Sequence, residues 1–117
     1  MNHTQAAIAT VCEHRGVAAR EILSPMRNRP IAWPRQEAQY ILREVAGKSL
    51  PEIGRAFGRD HTTVIHSLNV VEHRMKDDAY RGQVEAMKRD LLAKMGGFLS
   101  VRADCSATFK SARKAID

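Results

Sequence analysis

The sequence predicts an all-α single domain of five or six helices built round a central helix-turn-helix, on three observations. Apolar residues recur at helical spacing in almost every segment, no stretch sustains the alternation of a strand, and glycines and prolines interrupt the periodic runs at short intervals. A chain of 117 residues with 44% apolar composition supports one core of modest stability and little more. Residues 1–95 are expected to form the domain. Residues 96–117 read as a mildly basic tail, either a short helix or disordered.

The elements follow in chain order. Ile8, Val11 and Cys12 form a short apolar face, Gly16 interrupts it, and Val17–Leu23 reads as another short helix. Ser24–Pro34 contains Pro25, Pro30 and Pro34 and reads as a loop, carrying Arg27 and Arg29 with Trp33 at its far end. Trp33 is expected to pack in the core or against the loop. From Pro34 an amphipathic helix is predicted, with Ala38, Ile41, Leu42 and Val45 on one face and Gly47 as its stop. Ser49-Leu50-Pro51-Glu52 is a capping box, in which hydroxyl and carboxylate each satisfy an otherwise unpaired amide. That helix turns Leu50, Ile53 and Phe57 inward and ends at Gly58. Asp60 is placed to cap the next helix, whose buried stripe is Val64, Leu68, Val71 and Met75. A last helix, about Ala79–Met95, buries Val84, Met87, Leu91 and Met95 before Gly96-Gly97.

Charge narrows the function. Nineteen Lys and Arg against thirteen Asp and Glu give a net charge of +6, which favours a polyanionic partner. Between Arg27 and Arg59 seven residues are basic and three acidic, so the excess gathers about the predicted helix-turn-helix. Aromatic residues are only 5% of the chain, too few for a single-strand stacking platform, so duplex DNA is the better partner. No apolar run spans a bilayer and the N-terminus lacks a signal-peptide pattern, giving an expectation of a cytoplasmic protein with no membrane partner. Cys12 and Cys105 are expected to be free thiols.

Ser49–Arg74 has the layout in which one helix braces another across the DNA backbone and presents it to the major groove. The groove-facing candidates are His61, Thr62, Thr63 and, one turn on, His66, opposite the apolar stripe. A threonine hydroxyl bonds a base or phosphate while its methyl packs on thymine. The competing reading is a plain polar outer face. Arg35, at a helix start where a cation opposes the dipole, points to an external anion. His61 and His66 are five residues apart and lack the metal-binding His-Glu-x-x-His pattern, so no metal or other cofactor is expected. Nothing pairs a nucleophile with a base, and no enzyme activity is expected.

The string from Ser49 to His66, SLPEIGRAFGRDHTTVIH, resembles the signature of the C-terminal DNA-binding domain of the bacterial replication initiator DnaA. The resemblance extends through Pro34-Arg35-Gln36 and the Arg27–Arg29 loop and covers roughly Ile8–Leu92. It implies a compact helical fold of the DnaA C-terminal, TrpR-like kind, binding A·T-rich DnaA-box sites. It assigns major-groove reading to Asp60, His61, Thr62 and Thr63, and minor-groove entry to Arg27. Backbone and base contact fall to Arg35 and Gln36, and a phosphate contact to Arg43. Arg29, Arg59 and His66 complete the expected DNA-binding set. Two departures stand out: Phe57-Gly58-Arg59-Asp60 has one glycine fewer than the family's usual turn, and the chain contains no Gly-x-x-x-x-Gly-Lys-Ser/Thr loop. The expectation is a bacterial or phage DNA-reading module regulating replication initiation or transcription. The alternative is an adaptor that keeps the fold and docks on a replication or transcription protein.

Overall fold

The computed structural model describes residues 2–24 and 29–96, and the predicted tail beyond Gly96 lies outside them. Among the described residues there are six helices and no strand: α1 (His3–Arg15), α2 (Ala19–Ile22), α3 (Arg29–Ala46), α4 (Leu50–Phe57), α5 (His61–Arg74) and α6 (Asp78–Lys94).

Local chemistry sets most boundaries. Asn2 and Gln5 form a reciprocal capping box at α1, with Gln5 N–H donating to Asn2 Oδ1 at 2.8 Å and Asn2 N–H to Gln5 Oε1 at 3.0 Å. The predicted box at α4 is present: Ser49 N–H donates to Glu52 Oε1 at 2.8 Å and Glu52 N–H to Ser49 Oγ at 3.2 Å. Asp77 caps α6 by accepting from the Tyr80 amide at 2.8 Å.

The structure corrects the reading of Ser24–Pro34 as a loop. Helix α3 begins at Arg29 and runs through Pro34, whose missing N–H and bulky ring normally oppose a helix interior. Packing offsets that local cost, because α3 is the central helix and touches each of the other five. Ile41 and Leu42 of α3 meet Val11 of α1, Ile22 of α2, Ile53 of α4, Val64 and Val71 of α5, and Leu91 of α6 in one shielded core.

The stripe of α5 is shifted slightly from expectation. Val64, Ser67 and Val71 are fully buried, while Leu68 and Met75 lie at the core's margin. On α6, Tyr80 joins Val84, Met87 and Leu91, and Met95 is only partly covered. One polar cluster penetrates the core. Glu37 of α3 is 1% exposed and accepts from Arg15 Nε at 2.8 Å, Arg15 Nη2 at 2.9 Å and the Tyr80 hydroxyl at 2.6 Å. A buried carboxylate persists only when paired in this way.

Candidate nucleic-acid interface

The unit α4–turn–α5 is tight because of two glycines. Gly58 ends α4 at φ 65°, a left-handed conformation that a side chain strains. The Arg59 amide then returns to the Gly54 carbonyl at 2.8 Å. A Cβ on Gly54 would lie 2.6 Å from the Arg59 carbonyl oxygen, so the close approach of α4 to the turn requires glycine there.

Asp60 occupies the N-cap position of α5 with extended backbone angles, but its side chain does not cap the helix. The carboxylate instead accepts from the Thr62 hydroxyl, with His61 Nδ1 3.5 Å away. The Thr62 bond, followed by the charge of His61, holds the Asp60 carboxyl below its ordinary range. His61, Thr62, Thr63 and His66 are all exposed; Thr62 and His66 lie opposite the buried Val64 and Val71, and His61 and Thr63 flank that buried face. The first turn of α5 thus carries a row of hydrogen-bonding side chains on a helix fixed from behind.

Beside that row, between α3 and α5, runs a cleft of about 420 Å³. Arg35, Gln36 and Gln39 line it from α3, Thr63, His66 and Ser67 from α5, and Arg59 from the turn. Five of the predicted DNA-binding residues therefore meet here: Arg35, Gln36, Arg59, Thr63 and His66. Gln39 was not anticipated; it is 0% exposed, and neither polar atom of its amide has a hydrogen-bond partner among the described residues.

Arg35 departs most from expectation. It is 6% exposed, with Nε donating to the Ile22 carbonyl at 2.8 Å and Nη2 to the Ser24 carbonyl at 2.7 Å. An arginine expected as a solvent-facing cation at a helix start is instead mid-turn in the longer α3, tying that helix to the end of α2. Arg59 Nη2 donates to the same Ser24 oxygen at 2.9 Å. Burial, and then the neighbouring Arg59 charge, lower the Arg35 pKa from its ordinary value.

Arg43 is exposed and lies outside the cleft, its Nη1 donating to the Lys48 carbonyl at 2.9 Å. Arg29 opens α3, and Arg27 lies outside the described residues. Trp33 is not a core residue: it sits on α3, 39% exposed, with the Arg74 guanidinium 4.0 Å from its ring centroid. Among the described residues no group of three or more His, Cys, Asp or Glu is placed to hold a metal ion. No helix among them is long and apolar enough to cross a membrane.

Known proteins are similar to this chain in sequence and fold. A family model described as "Bacterial dnaA protein helix-turn-helix" matches residues 4–71. The chromosomal replication initiator protein DnaA of Thermomicrobium roseum is 46% identical over 84 residues, covering 71% of this chain and 17% of that protein. The Caulobacter vibrioides protein of the same name is 43% identical over 81 residues, 68% of this chain and 16% of its own length. The chain thus spans about a sixth of these relatives. A solved structure described as a DNA replication initiation factor superposes with a TM-score of 0.73 at 34% identity, covering 79% of this chain and 29% of that one. AMPPCP-bound DnaA from Aquifex aeolicus gives 0.68 at 32%, covering 79% and 28%.

Proposed function

The chain belongs to the bacterial DnaA helix-turn-helix family, and from this membership and the geometry of α4–turn–α5 we propose that it reads duplex DNA sequence-specifically at A·T-rich, DnaA-box-like sites. The role that follows is regulation of replication initiation or transcription. Such reading is non-catalytic. The carrying observation is the exposed row His61, Thr62, Thr63 and His66 on a helix whose opposite face is locked into the core.

In this reading α5 lies in the major groove, and Thr63 presents its hydroxyl and methyl to base edges. Thr62 donates its hydroxyl hydrogen to Asp60, so it offers acceptor lone pairs and a methyl, and its rotamer is fixed in advance. Gln36 reaches DNA from the cleft's other wall, while Arg29 and Arg43 supply charge along the backbone. Arg35 and Arg59, two cations sharing one carbonyl, gain most from a phosphate brought near them, since an anion relieves their mutual repulsion. Arg35 also fixes Ser24, the residue before the segment carrying Arg27. Arg27 is proposed to enter the adjacent minor groove, where A·T-rich sequence concentrates negative potential.

The test is a competition titration with a DnaA-box duplex and a scrambled duplex. Thr63→Ala is expected to cost roughly 1–3 kcal/mol on the box with the fold intact. Equal preference in variant and wild type would remove Thr63 from base readout. Weak, salt-sensitive binding of the wild type to both duplexes would favour the adaptor reading.

A further inference from the structure

The cluster round Glu37 lies at the C-terminal end of α5, away from the row proposed to read bases. Arg74 is the last residue of that helix. Its guanidinium is held between two aromatic rings, 4.0 Å from the Trp33 centroid and 4.1 Å from that of Tyr80, and its Nη1 lies 3.8 Å from Glu37 Oε2. Glu37 is itself fixed by both Arg15 bonds and the Tyr80 hydroxyl. One side chain of α5 is therefore gripped at once by α3 through Trp33 and Glu37 and by α6 through Tyr80, with α1 bracing the carboxylate.

We propose that Arg74, clamped by Trp33, Tyr80 and Glu37, is a positioning residue that sets the tilt of the recognition helix and hence its sequence preference. The inference rests on the DNA-binding reading. At its N-terminal end α5 is held by the short turn, and fourteen residues of helix extend about 20 Å to Arg74. A shift of about 1 Å at that end tilts a rod of this length by roughly 3° about the turn. Such a tilt moves His66, one turn along, more than it moves His61. Bidentate or methyl-specific base contacts are sensitive to sub-ångström misplacement, whereas diffuse attraction to phosphates is not. The clamp therefore governs discrimination and leaves the electrostatic part of binding alone.

A planar guanidinium stacks between rings and a lysine ammonium does not, so Arg74→Lys keeps the charge and removes the clamp. Trp33→Leu removes one ring from a half-exposed position without opening a core cavity. Each variant, and the double variant, is titrated against a DnaA-box duplex and a scrambled duplex over a range of salt, with circular dichroism as the check on folding. Each single variant is expected to keep its helical content and the wild-type salt slope while losing about five- to tenfold in box preference. The double variant should lose no more than the larger single loss, because both substitutions break one device. Should Arg74→Lys not fold, Trp33→Leu alone carries the same expectation. Unchanged preference in folded variants, or additive losses, overturns the clamp while the DNA-binding reading stands. A wild-type protein with no preference overturns both.

Discussion

A buried amide without a partner is expensive, and neither polar atom of the Gln39 amide, at full burial, has a hydrogen-bond partner among the described residues. Each unsatisfied group costs about 1–3 kcal/mol, and methionine has nearly the same length and shape without that penalty. Gln39→Met is therefore expected to raise the denaturation midpoint; a lower midpoint would mean that the amide has partners the protein depends on. Gln39 and Glu37 show where sequence reasoning stops at the single-residue scale. Both are polar residues within the Ala38, Ile41, Leu42 helix, and periodicity assigns polar residues to solvent. What buries Glu37 is the convergence of Arg15, Arg74 and Tyr80 from three other helices, and no local pattern carries that. The burial of Arg35 was not legible, because its partners are the backbone carbonyls of Ile22 and Ser24, which no local pattern brings to it.

At the scale of elements, two helical glycines have opposite consequences. Gly82 lies in α6 with nothing within 4 Å of an added Cβ, so Gly82→Ala should stabilise the protein by about 1 kcal/mol through helix propensity. Gly54 would gain the same propensity, but its Cβ would meet the Arg59 backbone oxygen at 2.6 Å and force α4 away from the turn. Gly54→Ala should cost roughly 1–3 kcal/mol net, read by chemical denaturation beside Gly82→Ala. Effects of the same sign would mean that the turn yields freely. The capping box of α4 and the stop at Gly58 were legible from sequence because their chemistry is local. The start of α3 was not: three prolines between Ser24 and Pro34 signalled a loop, yet contacts with five helices carry α3 through Pro34. The exposure of Thr62 and His66 was legible because helical period alone sets them opposite Val64 and Val71.

For the molecule as a whole, pH tests the core and DNA selection tests the function. The sequence has two tyrosines, Tyr40 and Tyr80, both buried. Burial raises both phenol pKa values above the ordinary range, and Glu44 and Glu37 respectively add to the shift. The unfolded chain releases these protons from about pH 10, while the folded protein retains them, so this stability is present below that pH and lost above it. Phenolate absorbance should therefore appear together with unfolding, and a tyrosine that ionises while the helices remain intact would contradict the burial. The central claim is that a fixed helix carrying Thr62 and Thr63 gives this basic chain a sequence preference beyond its charge. Its most direct test is selection by the wild-type protein from a pool of random duplexes, followed by sequencing of the bound fraction. The account predicts enrichment of one short, A·T-rich, DnaA-box-like site, lost from the pool bound by Thr63→Ala. A bound pool with the composition of the input would contradict it.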